Sequence, residues 1–280
     1  MIEKLIQHCE SFLPEIQGLQ RFDSGGQKVV FLGNHVIHGS VVLKLIEINS
    51  DSSGKRALRE MEIASKLVGN NFAKVYGYGS FTLGNQEFMY IIEEYIDGIN
   101  LRKHLIMVGK MNFTEVLKLG CSLLEALKTI HSENLVHRDL KPENIILSTE
   151  KIVVIDFGIA RDLEKQSLTA DLAFFGPMTI GYAAPEQIKN QKRQICNRTD
   201  LFTWGIIMYE CLMGVNPFRI NSDSSEIILK DTITYNPPLL SCDHQDFSHI
   251  VHTCLNKAIH RRPPSAGHIL ETLKIRGISS

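Results

Sequence analysis

The hydrophobic positions of the chain predict three strands and two helices. Apolar and β-branched runs at residues 39–44, 87–92 and 151–155 are typical of strands, and the last of them is short enough to be a buried one. Residues 55–68 have the spacing of a helix, and the apolar run over residues 204–213 predicts a further helix. The pattern therefore predicts a chain that contains both strands and helices.

The first predicted helix contains two acidic side chains, and helical geometry separates them. At about 100° per residue, Glu60 shares an arc with Ala57 and Leu67, whereas Glu62 lies on a charged arc. A carboxylate on an apolar helix face is costly unless it is paired, so Lys44 is the expected partner of Glu60. The alternative is a Glu60 at the edge of the face with its carboxylate in water.

Composition and charge narrow the possible classes of function. The chain has 280 residues with a net charge of −1 and mixed charges, which gives no nucleic-acid footprint. Its six cysteines form no CxxC or metal-binding spacing, which favours a reducing compartment. No apolar run approaches the ~18 residues of a membrane span. We therefore expect a soluble cytoplasmic protein without nucleic-acid or membrane partners.

Two short motifs carry candidate chemistry. Residues 137–144 read His-Arg-Asp-Leu-Lys-Pro-Glu-Asn, and Asp-Phe-Gly follows at residues 156–158. Phosphoryl transfer from ATP needs a carboxylate to orient the attacking hydroxyl, an amide and a second carboxylate for Mg²⁺, and a cation near the γ-phosphate. An ordinary charged turn is the alternative, but such a run followed in order by a separate triplet is hard to obtain by chance. The residues that supply these groups in turn are Asp139, Asn144, Asp156 and Lys141.

With these motifs the chain resembles the eukaryotic-type (Hanks-type) serine/threonine protein kinases, and looks most like the bacterial members. The resemblance covers nearly the whole chain. It implies an α+β structure with the bilobal protein-kinase fold, in which a β-rich N-lobe carrying one main helix covers residues 1–95 and a mainly helical C-lobe covers residues 96–280. Together the two lobes form one protein kinase domain.

The resemblance also implies how the N-lobe meets the phosphates of ATP. Lys44 is the implied ligand of the α- and β-phosphates, with Glu60 as its partner. The glycine-rich loop departs from the family pattern, because only Gly25 falls on a glycine of that pattern and Lys28 stands where the third one belongs. Backbone contact with the phosphates is therefore expected from Gly25 and Gly26.

The adenine ring is implied to meet the connector after the strand at residues 87–92. The backbone C=O of Glu94 and the N–H of Ile96 would contact its edge. Glu93 is then a departure, because the family usually has an apolar side chain or threonine there. The apolar side chains implied to sandwich the purine are Val30, Val42 and Ile146.

Residues 156–186 resemble a complete activation segment. Arg138 would lack a stable anion there unless a phosphate enters the segment, and a phosphate adds about −1.5 to −2 charge. We expect autophosphorylation with Thr169 as the first candidate and Ser167 as the next, although both can be ordinary loop hydroxyls. Thr179 is a further candidate, but is expected to lie beside Asp139 and Lys141 in the substrate platform.

Other residues are implied to have structural roles. Glu186 is expected to pair with Arg262, and Asp200 to brace the backbone of the loop that carries Asp139. His137 is expected to be a core residue that packs under Phe157.

Lys141 favours serine and threonine acceptors, because tyrosine-specific relatives usually have Ala or Arg in this loop. The expected activity is transfer of the ATP γ-phosphate to Ser or Thr of protein substrates, with Mg²⁺ or alternatively Mn²⁺, and with a transient dimer for trans-autophosphorylation. One alternative is a pseudokinase that acts as a nucleotide-binding interaction module. The other is a small-molecule kinase, which would lack the Ala-Pro-Glu platform at residues 184–186.

Overall fold

The computed structural model describes residues 2–25, 28–156, 179–240 and 244–278. Within its helices and strands, the side chains of residues 23–25, 51, 52, 56 and 60 lie outside the described part. The chain divides into two compact units, Met1–Asp97 and Gly98–Ser280.

The first unit is built on a five-stranded antiparallel sheet with the order β1-β2-β3-β5-β4. Its strands are β1 (Ile16–Gly25), β2 (Lys28–His35), β3 (Gly39–Ile48), β4 (Val75–Leu83) and β5 (Gln86–Glu94). Its helices are α1 (Ile2–Phe12) and α2 (Asp51–Lys66). The second of these is the helix predicted over residues 55–68, whereas the sequence pattern did not reveal α1.

One face of this sheet is apolar and packs against α1. Alternate residues of β3, namely Val41, Leu43 and Leu45, are buried in a cluster with Leu5 and Cys9 of the helix. Because side chains alternate along a strand, the residues between them lie on the opposite face. This second face is the one that presents Lys44.

Helix α2 begins with a capping box. The Ser50 hydroxyl accepts a hydrogen bond from the backbone N–H of Ser53 at 3.3 Å, and the Ser53 hydroxyl accepts one from the N–H of Ser50 at 3.0 Å. Such reciprocal bonds satisfy two donors that the first helical turn otherwise leaves open. They fix where the helix starts, directly after β3.

The second unit is mainly helical. Its helices are α3 (Leu101–Val108), α4 (Phe113–Ser132), α5 (Pro185–Ile188), α6 (Asn197–Met213), α7 (Ser225–Thr234), α8 (Gln245–Cys254) and α9 (Ala266–Ile275). Its strands are β6 (Ile99–Asn100), β7 (Ile145–Leu147) and β8 (Ile152–Val154), which form a small antiparallel sheet.

Helix α6 is the central element of the second unit. Almost every one of its residues from Thr199 to Cys211 is buried, which is typical of a helix enclosed on all sides. It contacts α4 and α8, and the indole N–H of Trp204 donates to the carbonyl of Gly120 at 3.1 Å. Polar side chains on α6 therefore reach their partners inside the unit.

The small sheet places the two motif segments side by side. Ile145 of β7 pairs with Val154 of β8, and the N–H of Ile155 donates to the carbonyl of Asn144 at 2.9 Å. Asn144 directly precedes β7, and Asp156 comes two residues after β8.

The expected α+β fold is confirmed, with a strand-rich first part and a mainly helical second part. Among the described residues, we find no helix that combines the length and the apolar character needed to cross a membrane.

Candidate active site

The loop that carries Asp139 is fixed by one buried carboxylate from α6. Asp200 accepts hydrogen bonds from the backbone N–H groups of His137 at 2.8 Å and Arg138 at 2.9 Å. It also contacts the imidazole Nε2 of His131 at 2.8 Å. Arg138 has φ +66°, a left-handed conformation that side-chain-bearing residues adopt at a cost. Asp200 thus holds an unfavourable turn directly before Asp139.

The Asp139 carboxylate binds a hydroxyl and an ammonium group. The Thr179 hydroxyl donates to its Oδ1 at 2.6 Å, and Lys141 Nζ donates to its Oδ2 at 3.0 Å. Lys141 Nζ also lies 3.4 Å from the Thr179 hydroxyl. Asp139 is only 7% exposed, so these contacts form largely out of water and are correspondingly strong. The structure therefore brings together the three residues expected at this point.

Asn144 and Asp156 supply oxygen donors of the kind that Mg²⁺ prefers. The Asn144 amide nitrogen donates to the carbonyl of Asp139 at 3.0 Å, which leaves Oδ1 as the atom of that side chain able to bind a metal. Asp156 has φ +55°, a conformation that in a non-glycine residue is often associated with a functional site. An amide oxygen and a carboxylate are two of the oxygen ligands that a Mg²⁺ site shared with phosphate oxygens uses.

Lys44 of β3 forms an ion pair with Glu93 of β5. The distance from Nζ to Oε2 is 2.8 Å, and the two side chains are 10% and 13% exposed. Glu60 lies in α2 as predicted, but its side chain is outside the described part, so the Lys44–Glu60 pair stays a prediction. The sequence reasoning noted Glu93 only as a departure and missed its contact with Lys44. The available signal was an acidic residue at the end of an apolar strand.

Four of the residues discussed lie on one face of the first unit's sheet. Val30 is directly opposite Lys44, and Val42 is directly opposite Glu93, while Val42 and Lys44 are two residues apart on β3. This face is opposite to the apolar face that packs on α1. It combines aliphatic side chains with one lysine and one glutamate.

The end of β5 carries the residues expected to meet adenine. The N–H of Glu94 donates to the carbonyl of Lys74 at 2.8 Å, and its carboxylate accepts from the Lys74 N–H at 3.2 Å. Ile96 follows in a partly buried segment without regular structure. In the second unit, Ile146 lies in β7 opposite Val153.

The Arg102 side chain forms hydrogen bonds with residues from three other segments of the second unit. Its guanidinium contacts Glu143 at 2.8 Å and Glu210 of α6 at 2.7 Å, and it donates to the Tyr182 hydroxyl. The Tyr182 hydroxyl in turn donates to Glu210. Burial, followed by the charge of Glu210, holds the pKa of Tyr182 well above its usual range. Sequence reasoning did not find this network, because its members are far apart in the chain and match no motif.

Glu186 and Arg262 form a fully buried ion pair. Arg262 donates to both carboxylate oxygens, at 2.7 and 2.9 Å, and the two side chains are 1% and 0% exposed. Thr199 adds a third bond to Glu186 at 2.8 Å, so the buried charges are fully engaged.

His137 is completely buried, and this burial lowers its pKa below the usual value. Its Nδ1 accepts from the backbone N–H of Asp139 at 3.3 Å, as a neutral imidazole can. Gly25, the last residue of β1, pairs with Lys28, the first residue of β2. The remaining predicted residues lie outside the described part of the chain, namely Gly26, Phe157, Ser167 and Thr169.

Comparison with known proteins identifies a family model and several relatives that the chain matches. The family model described as protein kinase domain matches residues 19–273. The chain is 32% identical to the probable serine/threonine-protein kinase PkwA of Thermomonospora curvata over 251 residues, which cover 89% of this chain and 32% of that protein. It is 29% identical to the serine/threonine-protein kinase PknB of Mycobacterium leprae over 245 residues, or 85% of this chain and 38% of that protein.

A similar relative is the probable serine/threonine-protein kinase PknB of Lactococcus lactis. It is 29% identical over 220 residues, which cover 76% of this chain and 34% of the relative. The chain thus spans about a third of the length of the curated relatives it matches.

Proposed function

Because the chain belongs to the protein kinase family, we propose that it is a serine/threonine protein kinase that transfers the γ-phosphate of ATP to protein hydroxyls. The observation that carries this proposal is the contact of Asp139 with the Thr179 hydroxyl at 2.6 Å, beside Lys141. The Asp139 carboxylate thus accepts a hydrogen bond from a threonine hydroxyl. This supports a hydroxyl of the same kind as the acceptor of the phosphoryl group.

In the proposed reaction Asp139 orients the acceptor hydroxyl and takes its proton. Lys141 offsets the negative charge of the phosphoryl group during transfer. An acceptor hydroxyl would take the position on Asp139 that the Thr179 hydroxyl occupies, so Thr179 would move or share the carboxylate.

We propose that Asn144 and Asp156 hold Mg²⁺, with Mn²⁺ as a substitute, and that the metal ion neutralises phosphate charge. In the first unit, Lys44 is the proposed ligand of the α- and β-phosphates. The glycine-rich turn, with Gly25 and Gly26, is proposed to approach the phosphates through its backbone.

Adenine recognition is proposed for backbone atoms at the end of the first unit, the C=O of Glu94 and the N–H of Ile96. The apolar face residues support a purine between aliphatic side chains. Those proposed for this role are Val30, Val42 and Ile146.

Regulation by autophosphorylation in a transient dimer is part of the proposal. Among the described residues the buried Nε of Arg138 has no hydrogen-bond partner, which supports a phosphate on Thr169 or Ser167 as its anion. A cytoplasmic location is also proposed, and the five described cysteines, all of them free thiols, support a reducing compartment.

The test is incubation of the purified chain with Mg-ATP, casein and an aminoglycoside in one reaction, followed by mass spectrometry. We expect phosphate on serine and threonine of casein, and none when EDTA removes Mg²⁺. Phosphate on the aminoglycoside alone, or on casein tyrosines alone, contradicts the proposal. ATP binding without transfer to any acceptor would instead support a nucleotide-binding module.

A further inference from the structure

We propose that Glu93 is a positioning residue for Lys44 and that it supports ATP binding by holding the ammonium group in place on the sheet. The role in ATP binding rests on the proposed kinase function. The ion pair itself rests on the geometry of the first unit alone.

The pair is fixed by the register of the sheet. Strands β3 and β5 are paired continuously from Val41 opposite Glu94 to Ile48 opposite Glu87. In this register Glu93 is opposite Val42, which places it diagonally beside Lys44 on the same face. The two charged groups therefore meet at 2.8 Å without requiring any other element to be in place.

The Lys44–Glu93 ion pair lies in nearly buried and largely aliphatic surroundings. Both side chains are nearly buried, at 10% and 13% exposure, and aliphatic side chains lie next to them on the same face. An ammonium group in such surroundings stays charged and directed only when a carboxylate accompanies it. Removal of the Glu93 charge would therefore leave the Lys44 side chain less firmly held on this face of the sheet.

Glu93 differs from Glu60 in where it is attached. Glu60 belongs to α2, a separate helix, whereas Glu93 belongs to the same sheet as Lys44. An ammonium group has three donors, so it can bind two carboxylates and still contact a phosphate. We infer that the sheet orients Lys44 independently of the helix, and that Glu93 acts on ATP only through Lys44.

The first test measures the lysine directly and needs no catalysis. Each variant is labelled briefly with an amine-reactive ester at pH 8, and acylation of Lys44 is followed by peptide mass spectrometry with Lys74 as the internal reference. We expect Glu93→Gln to increase the Lys44 labelling rate at least about threefold, because loss of this ion pair leaves the amine less firmly held and more exposed to the reagent. The control Glu87→Gln, an exposed position on the same strand, should label like the wild type.

The second test measures binding of Mg-ATP by calorimetry and the KM and kcat of phosphoryl transfer. We expect Glu93→Gln to raise the Kd and KM for ATP about tenfold, the scale of one charge-assisted contact, with kcat changed less than about threefold. Glu93→Asp keeps the charge and should recover part of the loss. In a Lys44→Met background, Glu93→Gln should cause no additional loss of binding.

These outcomes separate the two proposals. Wild-type labelling and ATP affinity in Glu93→Gln would overturn the role of Glu93, as would an equal further loss in the Lys44→Met background. Circular dichroism confirms that each variant is folded. If the wild type binds ATP but transfers no phosphate, the kinase proposal fails while the labelling and binding results still decide the role of Glu93.

Discussion

Lys257 places its ammonium group against two aromatic rings rather than against a carboxylate. Its Nζ lies 4.1 Å from the centre of the Phe218 ring and 5.4 Å from that of Phe202. Among the described residues this buried nitrogen has no hydrogen-bond partner. Burial, followed by the positive charge of Arg262, lowers the pKa of Lys257 to about 7. The aromatic rings thus compensate only part of the cost of the charge.

We predict that Lys257→Met stabilises the protein at pH 7 and changes how its stability depends on pH. In the wild type the folded pKa is about 7 and the ordinary value is 10.5, so the unfolded chain binds more protons between these values. This contribution to stability is lowest below pH 7 and rises as the pH approaches 10.5. The stability of the variant should not show this rise between pH 7 and pH 10.5.

Thermal unfolding of both proteins from pH 6 to 10 measures the difference. At pH 7 the midpoint of the variant should be about 2–4 °C higher, which corresponds to roughly 1 kcal/mol for a chain of this size. Lys189→Met, at an exposed position, serves as the control. Parallel pH profiles for Lys257→Met and the wild type would contradict the assignment.

At the scale of elements, helix α6 connects the loop that carries Asp139 to the rest of the second unit. Its Asp200 holds the backbone at residues 137–138, its Thr199 bonds Glu186, and its Glu210 joins the Arg102 network. A helix enclosed on all sides gives these side chains fixed positions. Changes in α6 should therefore affect catalysis without touching ATP.

We predict that Asp200→Asn lowers kcat at least about tenfold while the KM for ATP changes less than about twofold. Asparagine has one acceptor oxygen in place of two, so one backbone N–H before Asp139 loses its hydrogen-bond partner. The loop can then move, and a displacement of the Asp139 base by about 1 Å is enough to lower the rate of transfer strongly. Steady-state kinetics with a protein acceptor measures both constants. An unchanged kcat would show that Asp200 does not position Asp139.

The Glu186–Arg262 pair tests how much a buried contact between distant segments stabilises the fold. Removing one partner of a buried pair leaves the other charge uncompensated, which costs about 3–5 kcal/mol. We therefore predict that Arg262→Met lowers the free energy of unfolding by this amount, as measured by urea denaturation. Arg276→Met removes an exposed pair with Asp246, with side chains 40% and 52% exposed, and should cost less than about 1 kcal/mol. Similar losses in the two variants would argue against the assigned role.

At the scale of the whole molecule, the sequence predicted what short motifs and hydrophobic periods encode. The α+β class followed from the family resemblance that the motifs carry, and it is confirmed. Asp139, Lys141 and Asn144 could be named because all three lie within a single loop of the chain. These three residues could therefore be named without knowing which distant segments of the chain pack together.

The remaining features depend on contacts that a single sequence does not specify. The Lys44–Glu93 pair requires the register of β3 against β5, and the Arg102 network joins segments that are 41 to 108 residues apart. Helix α1 has no motif, and its burial becomes evident only when it packs on the sheet. Partners of this kind can be identified only from the folded chain.

The central claim is that Asp139 acts as the base in phosphoryl transfer from ATP to Ser or Thr, and intact-mass and peptide mass spectrometry after incubation with Mg-ATP test it most directly. We predict phosphate on Thr169 or Ser167 of the wild type, and a loss of about 10²–10⁴-fold in Asp139→Asn, which removes the proton acceptor. The variant should bind ATP as the wild type does. Equal phosphate on both proteins, or none on either, would contradict the account.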